Sequence, residues 1–379
     1  MKIGIISRVL LHSGNLRWAL GFASGFTQLG HETKVIFLRG SADDLLESDT
    51  GKLVYEIYKD KQNISRVGLA LLRMKWFENG FPKESAPDPL SWVLAPARHR
   101  WNREFDLLVL HDQYIGMSGL IAHELYNIPY VVFTHEPPSG REPFALRFLL
   151  EHWQSAVFKN ALLRCSVSPI TKEICERRYR LPFELISHGC SPDKSINGSK
   201  GNYVLFDTRW SSTRDPFLII KIARALKGVK AVVAGSFPNN ELQREFERSI
   251  ISNDLSDTII LRLNSGEKEL KELFRKAIAY VRWPAIAPDG YKEAGPSFGI
   301  FQSMEVGCPI IVTEDLASAK WLQSENAAIV TRHEGLSIAT TINKLDQNRS
   351  MVNEMALNSW QLGVKNSWKE SARKVIEAL

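Results

Sequence analysis

The sequence predicts an α/β protein of two Rossmann-like halves, each a parallel sheet wrapped by helices. Three observations carry this. Short apolar runs alternate with helical patterns along the chain. The alternation restarts after a polar, turn-rich stretch near the middle. The length of 379 residues is too great for one ordinary core and suits two domains of similar size.

The first half opens with Lys2-Ile-Gly-Ile-Ile-Ser7 as a buried strand, then a loop from Leu10 to Leu16 containing Gly14. A helix follows from about Leu16 to Leu29, stopped by Gly30, and Thr33 to Leu38 forms the next strand. A strand-helix-strand unit of this length implies parallel pairing. Asp106 to Leu110 and Tyr130 to Thr134 are further strands, and each delivers a histidine, His111 and His135, at its carboxyl edge. Ligands of open α/β sheets bind at that edge. Cys165 to Ser168 and Glu184 to Ser187, the latter followed by His188-Gly189, complete the half. The stretch Ser191 to Asn202, with Pro192, Gly198 and Gly201 among Ser and Lys, reads as a linker, so the first domain is expected over 1–195.

In the second half, expected over 202–365, Tyr203 to Phe206 is a strand and Thr208-Arg-Trp-Ser-Ser-Thr-Arg-Asp215 the loop after it. That loop sets Arg209 and Arg214 five residues apart. A helix from Pro216 to Lys227, strands Ala231 to Gly235 and Thr258 to Leu261, a helix from Glu269 to Lys276 and strand Ala279 to Arg282 follow. Next comes the most informative segment, Glu293-Ala-Gly-Pro-Ser-Phe-Gly-Ile-Phe-Gln-Ser-Met-Glu-Val-Gly-Cys-Pro-Ile-Ile-Val312. It reads as a Gly/Pro-rich loop, a helix from about Phe298 to Glu305, a tight Gly307-Cys-Pro309 turn and a buried strand. A loop that opens a helix is an anion site, because the first turn has unpartnered N–H groups and the positive end of the dipole. Ser297, Phe298, Gly299 and Ile300 supply that turn.

These residues resemble the donor-binding segment of the family four retaining glycosyltransferases, the group 1 enzymes of GT-B architecture. The family's motif has two glutamates eight positions apart, the second five residues before the glycine of Gly-x-Pro. Counted from Gly307, those positions are Gln302 and Ala294, with Glu293 beside the latter. The resemblance implies two Rossmann-like domains facing each other across a cleft, with segment 366–379 a last helix returning to the first domain. It implies transfer of a sugar from a nucleoside diphosphate sugar with retention. Arg209 and Arg214 would stabilise the diphosphate leaving group, where the family has arginine, four residues, then lysine. Gln302 would hold the ribose, Glu293 and His111 would position the sugar, and His135 would stand at the equivalent end of the next strand. Gly14 and the amides of Ser297 to Ile300 would meet the phosphates. The family shares Gly30-His31-Glu32, and usually has Asn-Gly at His188-Gly189 and two adjacent glycines near Gly14.

Neither an Asp-x-Asp triplet nor a His/Cys cluster is present, so neither metal nor cofactor is expected. The four cysteines are scattered and read as buried small hydrophobes. No apolar run reaches the length of a membrane span and no signal peptide is visible, which gives the expectation of a cytoplasmic protein or one peripheral on the inner face of the membrane. The net charge of +6 favours anionic partners. From Lys52 to Arg103 ten basic residues face five acidic ones, among tryptophans and aliphatic residues. That mixture suits an anionic membrane face and a lipid-linked acceptor; the edge of an ordinary core explains it equally, and a nucleic-acid acceptor would use the same charge. Two other readings stand beside transfer: a non-hydrolysing nucleotide-sugar epimerase, and a non-catalytic binding protein that keeps the fold without the acids.

Overall fold

A computed structural model of the protein describes residues 1–10, 14–40, 55–57, 104–113, 115–135, 144–196, 200–286, 290 and 292–379. The basic segment 52–103 lies outside them except for 55–57. The chain divides into two compact units, Met1–Gly189 with Trp368–Leu379, and Cys190–Ser367.

The first unit holds a parallel sheet in the order β3-β2-β1-β4-β5-β6-β7: β1 Lys2–Leu10, β2 Glu32–Gly40, β3 Tyr55–Ile57, β4 Leu107–Leu110, β5 Tyr130–Thr134, β6 Leu163–Ser166 and β7 Glu184–Leu185. Strand β1 runs three residues past the expected Ser7, and helix α1, Gly14–Gln28, starts at the glycine. Trp18, Phe22 and Phe26, spaced one turn apart, give α1 a fully buried face. Gly30, at φ +84°, ends it in the left-handed region that glycine adopts without strain.

The opposite requirement acts on Gly21 and Gly25. Helix α12, Trp368–Glu377, follows the second unit in sequence and packs on α1. A Cβ on Gly21 would overlap the Trp368 indole, and one on Gly25 the Trp368 carbonyl. Two glycines four residues apart therefore cut a groove into α1 for the buried Trp368. Helices α2 Gly116–Tyr126, α3 Phe144–Asn160 and α4 Pro169–Tyr179 complete the described part of the unit. Ser168 caps α4, its hydroxyl accepting from the Thr171 amide at 3.1 Å, with proline at the start of the helix.

The second unit holds a six-stranded parallel sheet in the order β10-β9-β8-β11-β12-β13: β8 Tyr203–Arg209, β9 Lys230–Ser236, β10 Ile259–Leu263, β11 Ala279–Arg282, β12 Ile310–Thr313 and β13 Ala328–Thr331. Its helices are α5 Phe217–Ala223, α6 Asn240–Ser252, α7 Glu267–Lys276, α8 Phe298–Glu305, α9 Ala319–Ser324, α10 Gly335–Asp346 and α11 Arg349–Lys365. Alternate strand residues feed two separate cores. Val204, Phe206, Val281 and Ile311 join one cluster, and Leu205, Tyr280, Ile310 and Val312 the other. Both faces of the sheet are thus covered, which is why its strands read as continuous apolar runs.

In both units the strand order reverses beside the first strand of the unit: between β1 and β4 in one, between β8 and β11 in the other. Outside the carboxyl ends of the strands flanking such a reversal, no helix crosses directly and a crevice remains for a ligand.

Candidate functional site

In the second unit, β8 ends at Arg209, which is exposed and has no side-chain hydrogen bond or ion pair among the described residues. Trp210 turns inward, and its indole N–H donates to the Ala234 carbonyl at 2.7 Å. That anchor fixes the loop carrying a single 3-10 turn, Ser212–Arg214. Across the reversal, the Ile286 amide donates to the Thr213 carbonyl at 2.8 Å, tying this loop to the segment after β11.

Glu293 joins the same two segments electrostatically. Arg214 Nη2 donates to its Oε1 at 3.0 Å, and Arg282 Nη2 to its Oε2 at 2.6 Å. The Ala285 amide donates to Oε2 at 3.3 Å. Burial alone would raise the Glu293 carboxyl, but the charges of Arg282 and Arg214, with these hydrogen bonds, outweigh it and hold the carboxyl below the ordinary range. Glu293 is therefore ionised, with both oxygens occupied. Ala294, at one of the family's acidic positions, is buried.

Ser297 caps α8, its hydroxyl accepting from the Gly299 amide at 3.3 Å. Gly299 lies against the Tyr280 hydroxyl, where a Cβ would collide with it; that hydroxyl donates to the Asp207 carbonyl at 3.1 Å. The start of α8 is thus seated on β11 beside the end of β8. Ile300, Phe301 and Met304 are buried, whereas Phe298 and Gln302 are half-buried. The Gln302 amide makes no hydrogen bond among the described residues.

The first unit presents different chemistry at its reversal. His111, just past β4, is held by its amide on the Ile6 carbonyl at 2.9 Å, and its Nδ1 lies 3.2 Å from Asp112 Oδ2. His135, just past β5, stacks on His111 with ring centroids 4.3 Å apart, and its Nε2 donates to the His111 carbonyl at 2.7 Å. His188 also stacks on His135, with ring centroids 5.1 Å apart. Trp18 meets His111 edge-on at 4.9 Å. Burial, aided by the charge His111 can carry, lowers His188 to about 3, so it is neutral at ordinary pH. Gly14 is the first residue of α1.

The structure thus brings together Arg214, Glu293 and the start of α8 in one unit, and His111 and His135 in the other. Two participants escaped sequence reasoning. Arg282 ends a strand that otherwise reads as core, and a cation in that place was itself the available signal. His188 was visible as a strand-end histidine, but its place in the stack depends on strand order.

Residues 16–186 match the model of the glycosyl transferase 4-like domain. No curated protein sequence matches the chain significantly. Among solved structures, HepE of Anabaena in complex with UDP and glucose is 15% identical, with 100% of each chain covered and a TM-score of 0.71. A glycosyltransferase from Rickettsia africae is 13% identical over 99% of this chain and 97% of its own, with a TM-score of 0.73. Sucrose-phosphate synthase from Thermosynechococcus elongatus is 14% identical over 100% and 98%, with a TM-score of 0.68. The fold is GT-B, with two Rossmann-like domains, and the resemblance to the family four-like, group 1 glycosyltransferases is met by the family model and the fold together.

Proposed function

We propose that the protein transfers a sugar from a nucleoside diphosphate sugar to an acceptor, with retention at the anomeric carbon. The observation that carries this reading is the convergence of Arg209, Arg214 and the start of α8 at the strand-order reversal of the second unit. A diphosphate gains charge as the sugar leaves, so fixed cations and helix amides there favour the transition state over the ground state. The complexes of HepE with UDP and with UDP-glucose support a nucleotide-sugar donor and make UDP the first base to test.

In this reading Arg209 and Arg214 stabilise the diphosphate, the amides of Ser297 to Ile300 cradle it, Gln302 holds the ribose and His111 positions the sugar. The arginines supply the positive charge that a metal supplies elsewhere. Retention rests on the family resemblance. The acceptor is proposed from sequence alone: the basic, aromatic stretch from Lys52 to Arg103 suits a lipid-linked acceptor on the inner face of a membrane. Among the described residues no helix is long and apolar enough to cross one.

A second reading has one observation in its favour. With Ala294 buried and both Glu293 oxygens held by arginines, no carboxylate of the loop 292–297 is left to touch a sugar, as in a protein that binds a nucleotide sugar without transferring it. Incubation with UDP-, GDP-, ADP- and TDP-sugars separates the two. Release of nucleoside diphosphate supports transfer; thermal stabilisation without release supports binding alone; neither would remove the nucleotide-sugar reading altogether.

A further inference from the structure

The Arg282 side chain is only 4% exposed, and a buried guanidinium is costly unless a carboxylate meets it. Glu293 meets it at 2.6 Å, while Arg282 Nη1 donates to Thr208 Oγ1 at 3.2 Å, one residue before Arg209. The same carboxylate holds Arg214 through Nη2 alone, leaving Arg214 Nη1 without a bond among the described residues and its buried Nε without a partner. Arg282 Nε is likewise buried and unpartnered. The arrangement is a chain from the floor of the sheet to the loop: Arg282 fixes Glu293, and Glu293 fixes Arg214. A long side chain that is already fixed loses less freedom when it binds.

We propose that Arg282 and Glu293 are a positioning pair that sets the Arg214 guanidinium to receive the terminal phosphate of a nucleoside diphosphate. Glu293 then acts through Arg214 and does not itself contact the sugar. The inference rests on the donor reading above and adds to it a role for a residue buried in the sheet.

The test is a double-mutant cycle read by calorimetric binding of UDP and of UMP to the full-length protein. Glu293→Gln should weaken UDP about tenfold while leaving UMP within about twofold. In an Arg214→Ala background the same substitution should change UDP binding by less than about twofold, because its effect passes through Arg214. Arg282→Met should repeat the Glu293→Gln loss, and Arg282→Lys should recover part of it. Should Arg282→Met fail to fold, the Glu293 and Arg214 cycle decides alone. An equal loss with and without Arg214, or an equal loss for UDP and UMP, overturns the proposal. A wild-type protein that binds UDP no better than UMP overturns the diphosphate reading itself, and the positioning pair with it.

Discussion

The two strand-order reversals of this chain share a topology and differ in chemistry. Beside β8 the carboxyl edge carries Arg209, Arg214, Arg282 and the start of α8, with one carboxylate between two of the arginines. Beside β1 it carries stacked imidazoles, with Trp18 edge-on to His111 and His188 held neutral by burial. Topology thus says where a ligand fits, and the side chains say what kind. Fixed cations suit a diphosphate. Imidazoles that can donate and accept hydrogen bonds suit the hydroxyls of a sugar.

The largest expected effect breaks the cationic edge. Arg209→Ala and Arg214→Ala should each cut nucleoside diphosphate release at least about a hundredfold, with the melting temperature of Arg209→Ala preserved. Arg209 has no side-chain hydrogen bond or ion pair among the described residues to lose. If either variant releases nucleoside diphosphate at the wild-type rate, that arginine lies outside the site.

The next effect sharpens the division of labour, since the first unit also contains the basic segment. Arg66, Arg73 and Lys75 changed together to glutamate should abolish sedimentation with vesicles containing anionic lipid, at about 1 kcal/mol per lost charge near the surface. Donor cleavage should survive, because the proposed donor groups lie mainly in the second unit. Binding in the wild type should fall as salt rises. Equal binding to neutral and anionic vesicles, or to neither, would remove the membrane and leave soluble or nucleic-acid acceptors.

Much of this contrast was legible in the sequence. Apolar runs such as Ile310 to Val312 exposed the strands because both sheet faces are covered, and Gly30 marked the end of α1 because only the left-handed region fits there. The small residues before α8 marked the loop and the start of the helix. Arg282 was not legible as a site residue, because its neighbours Tyr280 and Val281 are core and its partner Glu293 is eleven positions away. Nor was the full histidine column, since His111, His135 and His188 meet only through the pairing of β4 with β5 and the course of the chain beyond β7. The start of α1 was misplaced by two residues, as a glycine reads as loop even where it begins a helix.

Acid should separate the two edges. The His188 value of about 3 lies below the ordinary histidine value, so protonation favours the unfolded state. Its contribution to stability is complete above pH ~6.5 and is lost as pH falls from there toward 3, amounting to about 2 kcal/mol between pH 7 and pH 5. Glu293 is depressed from a lower starting point, so its contribution is complete above the ordinary carboxylate range and is lost as pH falls from that range through its folded value. Denaturant melts of wild type and His188→Asn at pH 7 and pH 5 check this. The wild type should lose stability over that interval, and the variant should lose about 2 kcal/mol less. Identical slopes would mean that His188 is protonated without penalty and is not held neutral by burial.

The smallest effect concerns Gln302 of α8. Gln302 stands where the related motif has an acid, half-buried, with its amide unbonded among the described residues. A neutral amide can both donate to and accept from a ribose diol, so the missing charge need not weaken the contact. Gln302→Ala should weaken UDP binding by about 1 kcal/mol, the worth of one neutral hydrogen bond. Gln302→Glu should bind UDP about as well as the wild type, because a carboxylate accepts from both ribose hydroxyls while adding repulsion toward the phosphates. The pair of outcomes reads the register of the motif. If alanine leaves UDP affinity unchanged, Gln302 faces away from the nucleotide, and counting back from Gly307 gives the wrong residue. If glutamate instead abolishes binding, the side chain lies against the diphosphate, and the ribose must be held from elsewhere.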